Sequence, residues 1–293
     1  MTDSSDAAVV ITTYNHARFL GEAIDSVLSQ TVAPAEIVVV DDGSTDDPET
    51  VTAKYPSVHL IRQDNRGLAA ARNTGWRATS SPFVAFLDAD DWLRPTAIEV
   101  GCRQLAAHPD AAFNYGAYAN RYWPSGRIAE VPFRPVPRES FGAMLHLNPI
   151  GMHATVLYRR SALEAANGFA EELRACEDYD LYLRLAADRP VACCRDVLAD
   201  YRQHDSNMSR DPAFMLRAAL RVMRRIAPTA QARGKTRDWQ ASIEEWKAHY
   251  VDQWISQLKD TGLNVRALRQ LASLATLAPA YLLGKGARRL GRR

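Results

Sequence analysis

The strongest constraint on this chain is an apolar run that ends in a cluster of carboxylates. Residues Phe83–Trp92 read FVAFLDADDW, so five apolar residues lead directly into Asp88, Asp90 and Asp91. A continuous apolar run of this length is typical of a strand buried on both faces of a parallel sheet. Ligands of open α/β sheets bind beyond the carboxyl ends of the strands, and clustered oxygen donors suit Mg²⁺ or Mn²⁺. The run therefore indicates a ligand or metal site at a sheet edge.

Two other strand-like runs end in polar residues in the same way. Glu36–Asp42 (EIVVVDD) ends in two carboxylates, and Ala8–Thr12 runs into Thr13, Tyr14 and Asn15. An acidic turn before a helix is also an ordinary cap, and Asp91 precedes the helix-like stretch 95–107. A shared site explains all three ends better than separate caps do, because carboxyl ends of parallel strands meet at one edge.

Segments with helical spacing separate these strands. Apolar residues recur at intervals of three and four in His16–Gln30 and Leu68–Arg77, while Pro48–Tyr55 predicts a short helix and Val58–Arg62 a strand. Alternating strands and helices predict an α/β fold, with a mostly parallel sheet and helices on both faces. The chain lacks G-x-G-x-x-G after the first strand and lacks a Walker A lysine motif, which argues against dehydrogenases and P-loop kinases.

Composition limits the cellular context and the partners. A chain of 293 residues with 47% hydrophobic content can form one large domain with an extension. The net charge of +2 gives no general attraction to nucleic acid, so no nucleic-acid partner is expected. The sequence predicts a cytoplasmic protein for three reasons. Its four cysteines lack metal-knuckle spacing, its polar N-terminus lacks a basic signal region, and it has no long apolar stretch.

Five stretches occur along the chain in a recognisable order: VVITTYNHARFLGEAIDSVLSQT, EIVVVDDGSTDD, DNRGLAAARNTGW, FVAFLDADDW and CEDYDLYLRLA. Together they resemble the family 2 glycosyltransferases of the GT-A fold, a Rossmann-like α/β architecture. The resemblance runs from about Val9 to His204, roughly two thirds of the chain. It implies a GT-A domain over residues 1–210 and a helical C-terminal extension over residues 211–293.

The resemblance also implies a donor site at the strand ends. Thr12 and Tyr14 would contact the base of a nucleotide, and Asp41 would accept a hydrogen bond from the base imide, which suits uracil or thymine. Asp41 could instead satisfy only the amides of the Gly43 turn. Arg72, in the A-R-N pattern, would serve the diphosphate or hold the acids, although a solvated helix position is the alternative.

A divalent cation, Mn²⁺ or Mg²⁺, is implied by the same resemblance. Asp88 would hold the ribose or a metal-bound water, and Asp90 would ligate a cation that bridges the two phosphates of the donor. Asp91 would be a further ligand or a supporting residue. His204, in the pattern Y-R-x-H, is a candidate metal or diphosphate ligand, although a lone histidine in a polar loop is ordinarily just solvated.

Acids at the start of the helix-like stretch Cys176–Ala187 match the E-D motif of the family. In an inverting transferase one carboxylate removes the proton from the acceptor hydroxyl, so Asp178 is the candidate base and Glu177 is expected to steer or bind the acceptor. Acids at a helix start also interact well with the helix dipole, which is the structural alternative. Ala111–Trp123 and Gly126–Val131 predict an aromatic-rich hairpin, and this middle third is the expected acceptor surface, although most of its aromatic residues are expected simply to pack in the sheet.

The last part of the chain reads as amphipathic helices followed by a basic tail. Met215–Ile226 and Trp239–Leu258 have helical spacing, and Leu263–Arg293 mixes leucines with arginines and lacks acids. Such a tail predicts peripheral contact with the inner face of the plasma membrane, or alternatively a packed terminal helix with a solvated basic end.

The expected activity is inverting transfer of a sugar from a nucleoside-diphosphate donor, UDP- or TDP-linked, to a glycan or lipid-linked acceptor in surface polysaccharide, lipopolysaccharide or glycolipid assembly. A non-catalytic nucleotide- or sugar-binding module on the same fold is one alternative. A sugar-1-phosphate nucleotidyltransferase is another, but it calls for a glycine-rich basic loop after the first strand, which ITTYN does not supply.

Overall fold

A computed structural model of the protein describes residues 5–204, 207–262 and 264–283. The chain divides into two compact units, one formed by residues 1–144 and 148–204 and the other by residues 145–147 and 205–293. The domain boundary predicted after residue 210 stays a prediction. The described residues of the first unit hold the sheet and all the predicted site residues.

Four strands and three helices of the first unit alternate, as the sequence predicts. They are β1 (Ser5–Thr13), α1 (Ala17–Leu28), β2 (Pro34–Asp41), α2 (Pro48–Thr52), β3 (His59–Arg62), α3 (Leu68–Arg77) and β4 (Phe83–Asp88). These strands are parallel and lie in the order β3-β2-β1-β4. The chain order reverses between β1 and β4, where an open sheet leaves a crevice for a ligand at the carboxyl ends.

Helices cover both faces of these strands. On one face, Val9 and Ile11 of β1 belong to a buried cluster that also contains Leu20 and Ile24 of α1. The opposite face meets α3, where Gly75 allows the helix backbone to approach β1 and β2 closely. The continuous apolar runs of the strands follow from this double burial.

The remaining strands extend the sheet with mixed direction. They and their helices are β5 (Trp92–Leu93), α4 (Ala97–Ala107), β6 (Phe113–Tyr122), β7 (Ile128–Glu130), α5 (Phe141–Leu145), β8 (Val156–Arg159), α6 (Arg160–Ala165), α7 (Glu177–Asp188) and β9 (Val191–Gln203). The full order of the described sheet is β3-β2-β1-β4-β8-β6-β9-β5, with β7 paired to β6. The long pairings β1–β2, β1–β4 and β6–β9 are parallel, and the expected hairpin is confirmed as the antiparallel pair β6–β7.

The largest departure from the sequence-based prediction is β9, which the sequence analysis does not anticipate. This strand pairs with β6 in parallel from Val191 to Gln203, so His204, expected in a polar loop, directly follows a strand of the sheet. Its register shifts opposite Gly116, near the exposed pair Arg195 and Asp196, and these charges interrupt the apolar pattern. Directly before β8, His153–Thr155 forms a 3-10 turn.

The second unit is helical. It contains α8 (Pro212–Ala232), α9 (Thr236–Thr261) and α10 (Val265–Leu277), which pack on one another. Asp211 caps α8 by accepting hydrogen bonds from Ala213 and Phe214 N–H, both at 3.1 Å. Within the described ranges, no helix combines the length and apolar character needed to cross a membrane.

Close packing of α3 on the sheet predicts that Gly75→Ala destabilises the protein. A Cβ at Gly75 would lie 2.2 Å from Val10 Cγ1 and 3.1 Å from Val40 Cγ2, so the helix or the strands must move. We expect a loss of about 1–3 kcal/mol in the free energy of unfolding, measured by urea denaturation.

The matched control is Gly21→Ala in α1. A Cβ at Gly21 would be 3.4 Å from the Tyr55 hydroxyl, an ordinary contact, so this change should stabilise the helix by about 0.5–1 kcal/mol. Equal effects of the two substitutions would contradict the packing argument.

Candidate active site

The site begins where β1 and β4 end. The sheet register pairs Thr12 with Asp88, and the Thr12 hydroxyl donates a 3.0 Å hydrogen bond to Asp88 Oδ1. Asp88 keeps 35% of its side chain exposed, whereas Thr12 is buried. The hydroxyl therefore fixes a carboxylate that remains accessible at the switch point of the sheet.

Arg72 of α3 connects this carboxylate to the start of α7. Its Nη2 lies 2.9 Å from Asp88 Oδ1, and its Nη1 lies 2.6 Å from Glu177 Oε1. Arg72 as a residue is 2% exposed, and its Nε lacks a hydrogen-bond partner among the described residues. Burial works against the charge of Arg72, but the charges of Asp88, Glu177 and Asp178 raise its pKa, so it remains a cation. Arg72 is thus the positive centre of the site rather than a solvated helix residue.

The two acids at the start of α7 have different surroundings. Glu177 is buried against Arg72, and burial raises the pKa of Glu177 to about 7 even though Arg72 acts in the opposite direction. Asp178 keeps 23% of its side chain exposed and accepts a 2.7 Å hydrogen bond from Tyr179 N–H at Oδ1. Burial and the charge of Asp88 raise the pKa of Asp178, against the opposing effects of Arg72 and the Tyr179 N–H. A reachable carboxylate with increased proton affinity can act as a base.

Asp90 lies beside two histidines. His204 Nε2 is 2.9 Å from Asp90 Oδ2, and His16 Nδ1 is 3.7 Å from the same oxygen. Burial alone would raise the pKa of Asp90, but the hydrogen bond to His204 and the charge of His16 hold it below its usual value. The strand end of β9 places His204 here, so the structure brings these two predicted residues together.

Asp91 points to a different neighbour. Its Oδ1 accepts a 2.8 Å hydrogen bond from Arg202 N–H of β9, and its side chain is buried. Burial and the charges of Asp90 and Asp88 raise the pKa of Asp91 well above its usual range. Arg202 itself donates to the Asp90 carbonyl at 2.7 Å and to Glu22 at 2.9 Å. These contacts tie the acidic turn to β9.

The residues predicted to contact the nucleotide base lie at the ends of β1 and β2. Asp41 is buried, with Oδ1 accepting from Ser44 N–H at 2.8 Å and Oδ2 lying 3.4 Å from Arg62 Nε. Asp42 accepts from Gly67 N–H at 2.8 Å, so it holds the loop before α3. Tyr14 is 49% exposed, which leaves its ring available for a flat ligand.

Sequence reasoning missed two residues of this edge. His16, at the start of α1, is close to Asp90, and His153, before β8, is 3.9 Å from Asp178. A histidine at a helix start and another in a strand-like run carry no pattern that points to a distant acid. Their roles depend on chain segments far apart in the sequence.

The donor groups fit a hard divalent cation held by few protein ligands. Asp90 offers a carboxylate and His204 an imidazole at the same point, a set of oxygen and nitrogen donors that Mn²⁺ accepts. Across the described ranges, no three His, Cys, Asp or Glu side chains form a ready-made metal site. Cations of this kind commonly complete their coordination with substrate phosphates and water rather than with an all-protein cage.

Comparison with known proteins assigns the family. The family model described as glycosyl transferase family 2 matches residues 8–166, more than half of the chain, and the chain belongs to this family. EpsH of Bacillus subtilis (strain 168) is 26% identical over 285 residues, covering 87% of this chain and 82% of EpsH. A chondroitin synthase of Escherichia coli is 28% identical over 208 residues, covering 69% of this chain but 29% of that enzyme.

Solved structures with the same architecture confirm the GT-A fold. TarS of S. aureus, residues 1–349, aligns over 93% of this chain and 81% of its own, with a TM-score of 0.62 and 21% identity. The mannosyltransferase PcManGT from Pyrobaculum calidifontis, solved with GDP-Man and Mn²⁺, aligns over 99% and 88%, with a TM-score of 0.63 and 18% identity. At these identities the likeness concerns the fold alone.

Proposed function

We propose that this chain is an inverting glycosyltransferase that moves a sugar from a nucleoside-diphosphate donor to an acceptor hydroxyl. The observation that carries the proposal is the Arg72 bridge between Asp88, at the donor edge of the sheet, and the acid pair at the start of α7. The Arg72 guanidinium holds the donor edge of the sheet and the start of α7 together. A nucleotide-sugar donor bound at the strand ends would therefore present its sugar toward Asp178. Membership of the family supports the same activity.

The chemistry requires a base and a leaving group on opposite sides of the anomeric carbon. Asp178 takes the proton of the acceptor hydroxyl as its oxygen forms a bond to that carbon. The bond from the carbon to the phosphate oxygen breaks, and its electron pair leaves with the nucleoside diphosphate. Glu177 would steer or bind the acceptor rather than take its proton, because its carboxylate is engaged in the ion pair with Arg72. The configuration of the sugar carbon is inverted.

The donor end uses the residues at the strand ends. Thr12 and Tyr14 would contact the nucleotide base, Asp41 would accept a hydrogen bond from its imide, and Asp88 would hold the ribose or a metal-bound water. A uracil or thymine base suits a carboxylate acceptor. TarS has been solved with UDP and with UDP-GlcNAc, which supports a UDP-linked donor for this chain.

A divalent cation would be held by Asp90 and His204, with Asp91 supporting the turn from behind. The ion would stabilise the negative charge of the departing diphosphate as a Lewis acid. Two observations support this assignment. Asp90 Oδ2 and His204 Nε2 lie 2.9 Å apart, and PcManGT, solved with Mn²⁺, shares the fold.

The acceptor is proposed to be a glycan or a lipid-linked glycan in surface polysaccharide or glycolipid assembly. Similarity to the chondroitin synthase of Escherichia coli and the hyaluronan synthase of Pasteurella multocida supports the polysaccharide class. The aromatic hairpin β6–β7 is the proposed acceptor surface. We also propose that the reaction takes place in the cytoplasm.

Contact with the membrane is proposed for the C-terminal tail. Helix α10 leaves Val265 and Leu268 exposed beside the exposed Arg266 and Arg269, a mixture that suits an anionic lipid surface. The tail predicted from sequence covers 263–293, of which residues 263 and 284–293 lie outside the described part of the chain.

Nucleotide binding gives the first prediction of this function. UDP with Mn²⁺ at about 100 times its Kd should raise the melting temperature by about 5 °C, because the ligand binds the folded state only. Asp90→Ala should abolish the part of the shift that needs the metal. TDP, GDP and CMP serve as comparisons, each with and without Mn²⁺.

The control for this series is Asp25→Ala, an exposed acid on α1, which should keep the full shift. A metal-dependent shift that survives in Asp90→Ala would contradict the metal assignment. Absence of a shift with all four nucleotides in folded protein would count against the nucleotide site itself.

Removing the base gives the second prediction. Asp178→Asn should lower the rate of sugar transfer by about 10²- to 10⁴-fold while nucleotide binding is retained, because the amide cannot accept the hydroxyl proton. Release of UDP from UDP-sugars in the presence of a panel of glycan acceptors measures the rate. Asp188→Asn, at the other end of α7, should behave like the wild type. Unchanged transfer in Asp178→Asn would remove this residue from the role of base.

Vesicle flotation tests the tail. The full chain should float with vesicles of phosphatidylcholine and 30% phosphatidylglycerol but not with phosphatidylcholine alone. The reason is that each basic residue gains about 1 kcal/mol of binding free energy only near an anionic surface. Replacing Arg288, Arg289, Arg292 and Arg293 by glutamine should prevent flotation, as should 0.5 M salt, which screens charges. Equal flotation of the substituted protein would contradict the electrostatic contact.

A further inference from the structure

His153 is a buried histidine beside the proposed base. It lies in the 3-10 turn before β8, and both of its ring nitrogens lack hydrogen-bond partners among the described residues. Four aromatic rings surround it, those of Phe86, Tyr158, Phe169 and Tyr182, with centroids 5.4–5.9 Å from the imidazole. A buried polar group without a partner costs stability, so a histidine in an aromatic cluster calls for an explanation.

One nitrogen of this ring faces the reactive carboxylate. His153 Nδ1 lies 3.9 Å from Asp178 Oδ2, while the other oxygen of Asp178 accepts from Tyr179 N–H at 2.7 Å. Catalytic hydrogen bonds are often long before substrate binds and shorten in the complex. A small rotation of the carboxylate brings Oδ2 within reach of an N–H on Nδ1.

The imidazole stays neutral in this position. Burial and the nearby charge of Arg72 hold the pKa of His153 well below its usual value. A neutral ring can donate one N–H, but it cannot store the proton that leaves the acceptor. His153 is therefore suited to orient a carboxylate and not to relay a proton.

We propose that His153 is the positioning residue of the base: its Nδ1–H donates to Asp178 Oδ2 and turns the carboxylate toward the acceptor hydroxyl. The proposal rests on the proposed transferase function for its catalytic meaning. The contact itself can be tested without any activity. The aromatic cluster then has a purpose, because it keeps the ring neutral and in one orientation.

Several other ionisable groups interact with Asp178 and must be considered when its pKa is measured. They are Arg72 on α3, Asp88 on β4, Tyr158 on β8, Cys176 before α7, and Glu177 and Tyr182 on α7. Tyr158 and Tyr182 also pack against the imidazole, at centroid distances of 5.7 and 5.9 Å, so a substitution at residue 153 can move them. The Asp178 titration therefore reports the imidazole by comparison with a variant that disturbs the cluster and keeps His153.

The direct test is a ¹³C NMR titration of the Asp178 carboxyl, assigned with Asp178→Asn. His153→Phe keeps an aromatic ring of similar size but has no N–H, so the pKa of Asp178 should rise by about one unit, since donation to the charged form is lost. His153→Asn keeps an N–H near the Nδ1 position, so the pKa of Asp178 in this variant should lie between its values in the wild type and in His153→Phe. Phe86→Leu disturbs the same cluster without changing a polar group and should leave the titration unchanged.

Kinetics supply a second readout where transfer is measurable. His153→Phe should lower kcat about tenfold with little change in KM for the donor, and the acidic limb of the kcat profile should move to higher pH. His153→Asn should restore part of the rate. A purely structural role would instead make Phe86→Leu and His153→Phe alike.

The wild-type protein offers a test that does not depend on a variant folding. ¹⁵N NMR of the labelled histidines should show His153 neutral with its proton on Nδ1. A proton on Nε2 in the wild type, or an Asp178 titration that is the same in His153→Phe as in the wild type, overturns the proposal. Lack of transfer by the wild type with all UDP-sugars would count against the proposed function and would leave the NMR result to decide on His153.

Discussion

The carboxylates of the site depend on the buried guanidinium of Arg72. Acids from two distant segments, at the end of β4 and at the start of α7, would repel each other at short range. Arg72 offers separate nitrogens to Asp88 and Glu177, and its rigid planar shape fixes the angle between them. A buried ion pair of this kind is a weak source of stability but a strong geometric constraint, because removing either partner leaves a charge without compensation.

The same constraint separates the roles of neighbouring acids. The pKa values of both carboxyls are raised, but Glu177 is buried and engaged by Arg72, whereas Asp178 keeps part of its side chain exposed. Accessibility therefore favours Asp178 for the proposed proton transfer. In the DADD turn, Asp90 faces two histidines and Asp91 faces the backbone of β9. Environment, and not residue type, distinguishes the members of each pair.

Much of the first half of the fold is readable from the chain. The buried strands β1, β2 and β4 have continuous apolar runs with polar ends, and the helices between them have regular spacing, so local patterns and global fold agree. Strand β9 is different. Its pairing with β6 is non-local and its apolar pattern is broken at Arg195 and Asp196, so no local signal identifies it. The position of His204 beside Asp90 depends on that strand.

The sequence by itself determined the sheet edge, because apolar strands that end in Thr12, Asp41 and Asp88 must bring their polar ends together in a parallel sheet. It also supplied the acids that open α7. Only the tertiary structure decided which groups meet: Arg72 with both Asp88 and Glu177, His204 with Asp90, and His153 with Asp178. The physical reason is that a side chain's charge, exposure and proton affinity depend on neighbours distant in sequence, which hydrophobic periodicity does not encode.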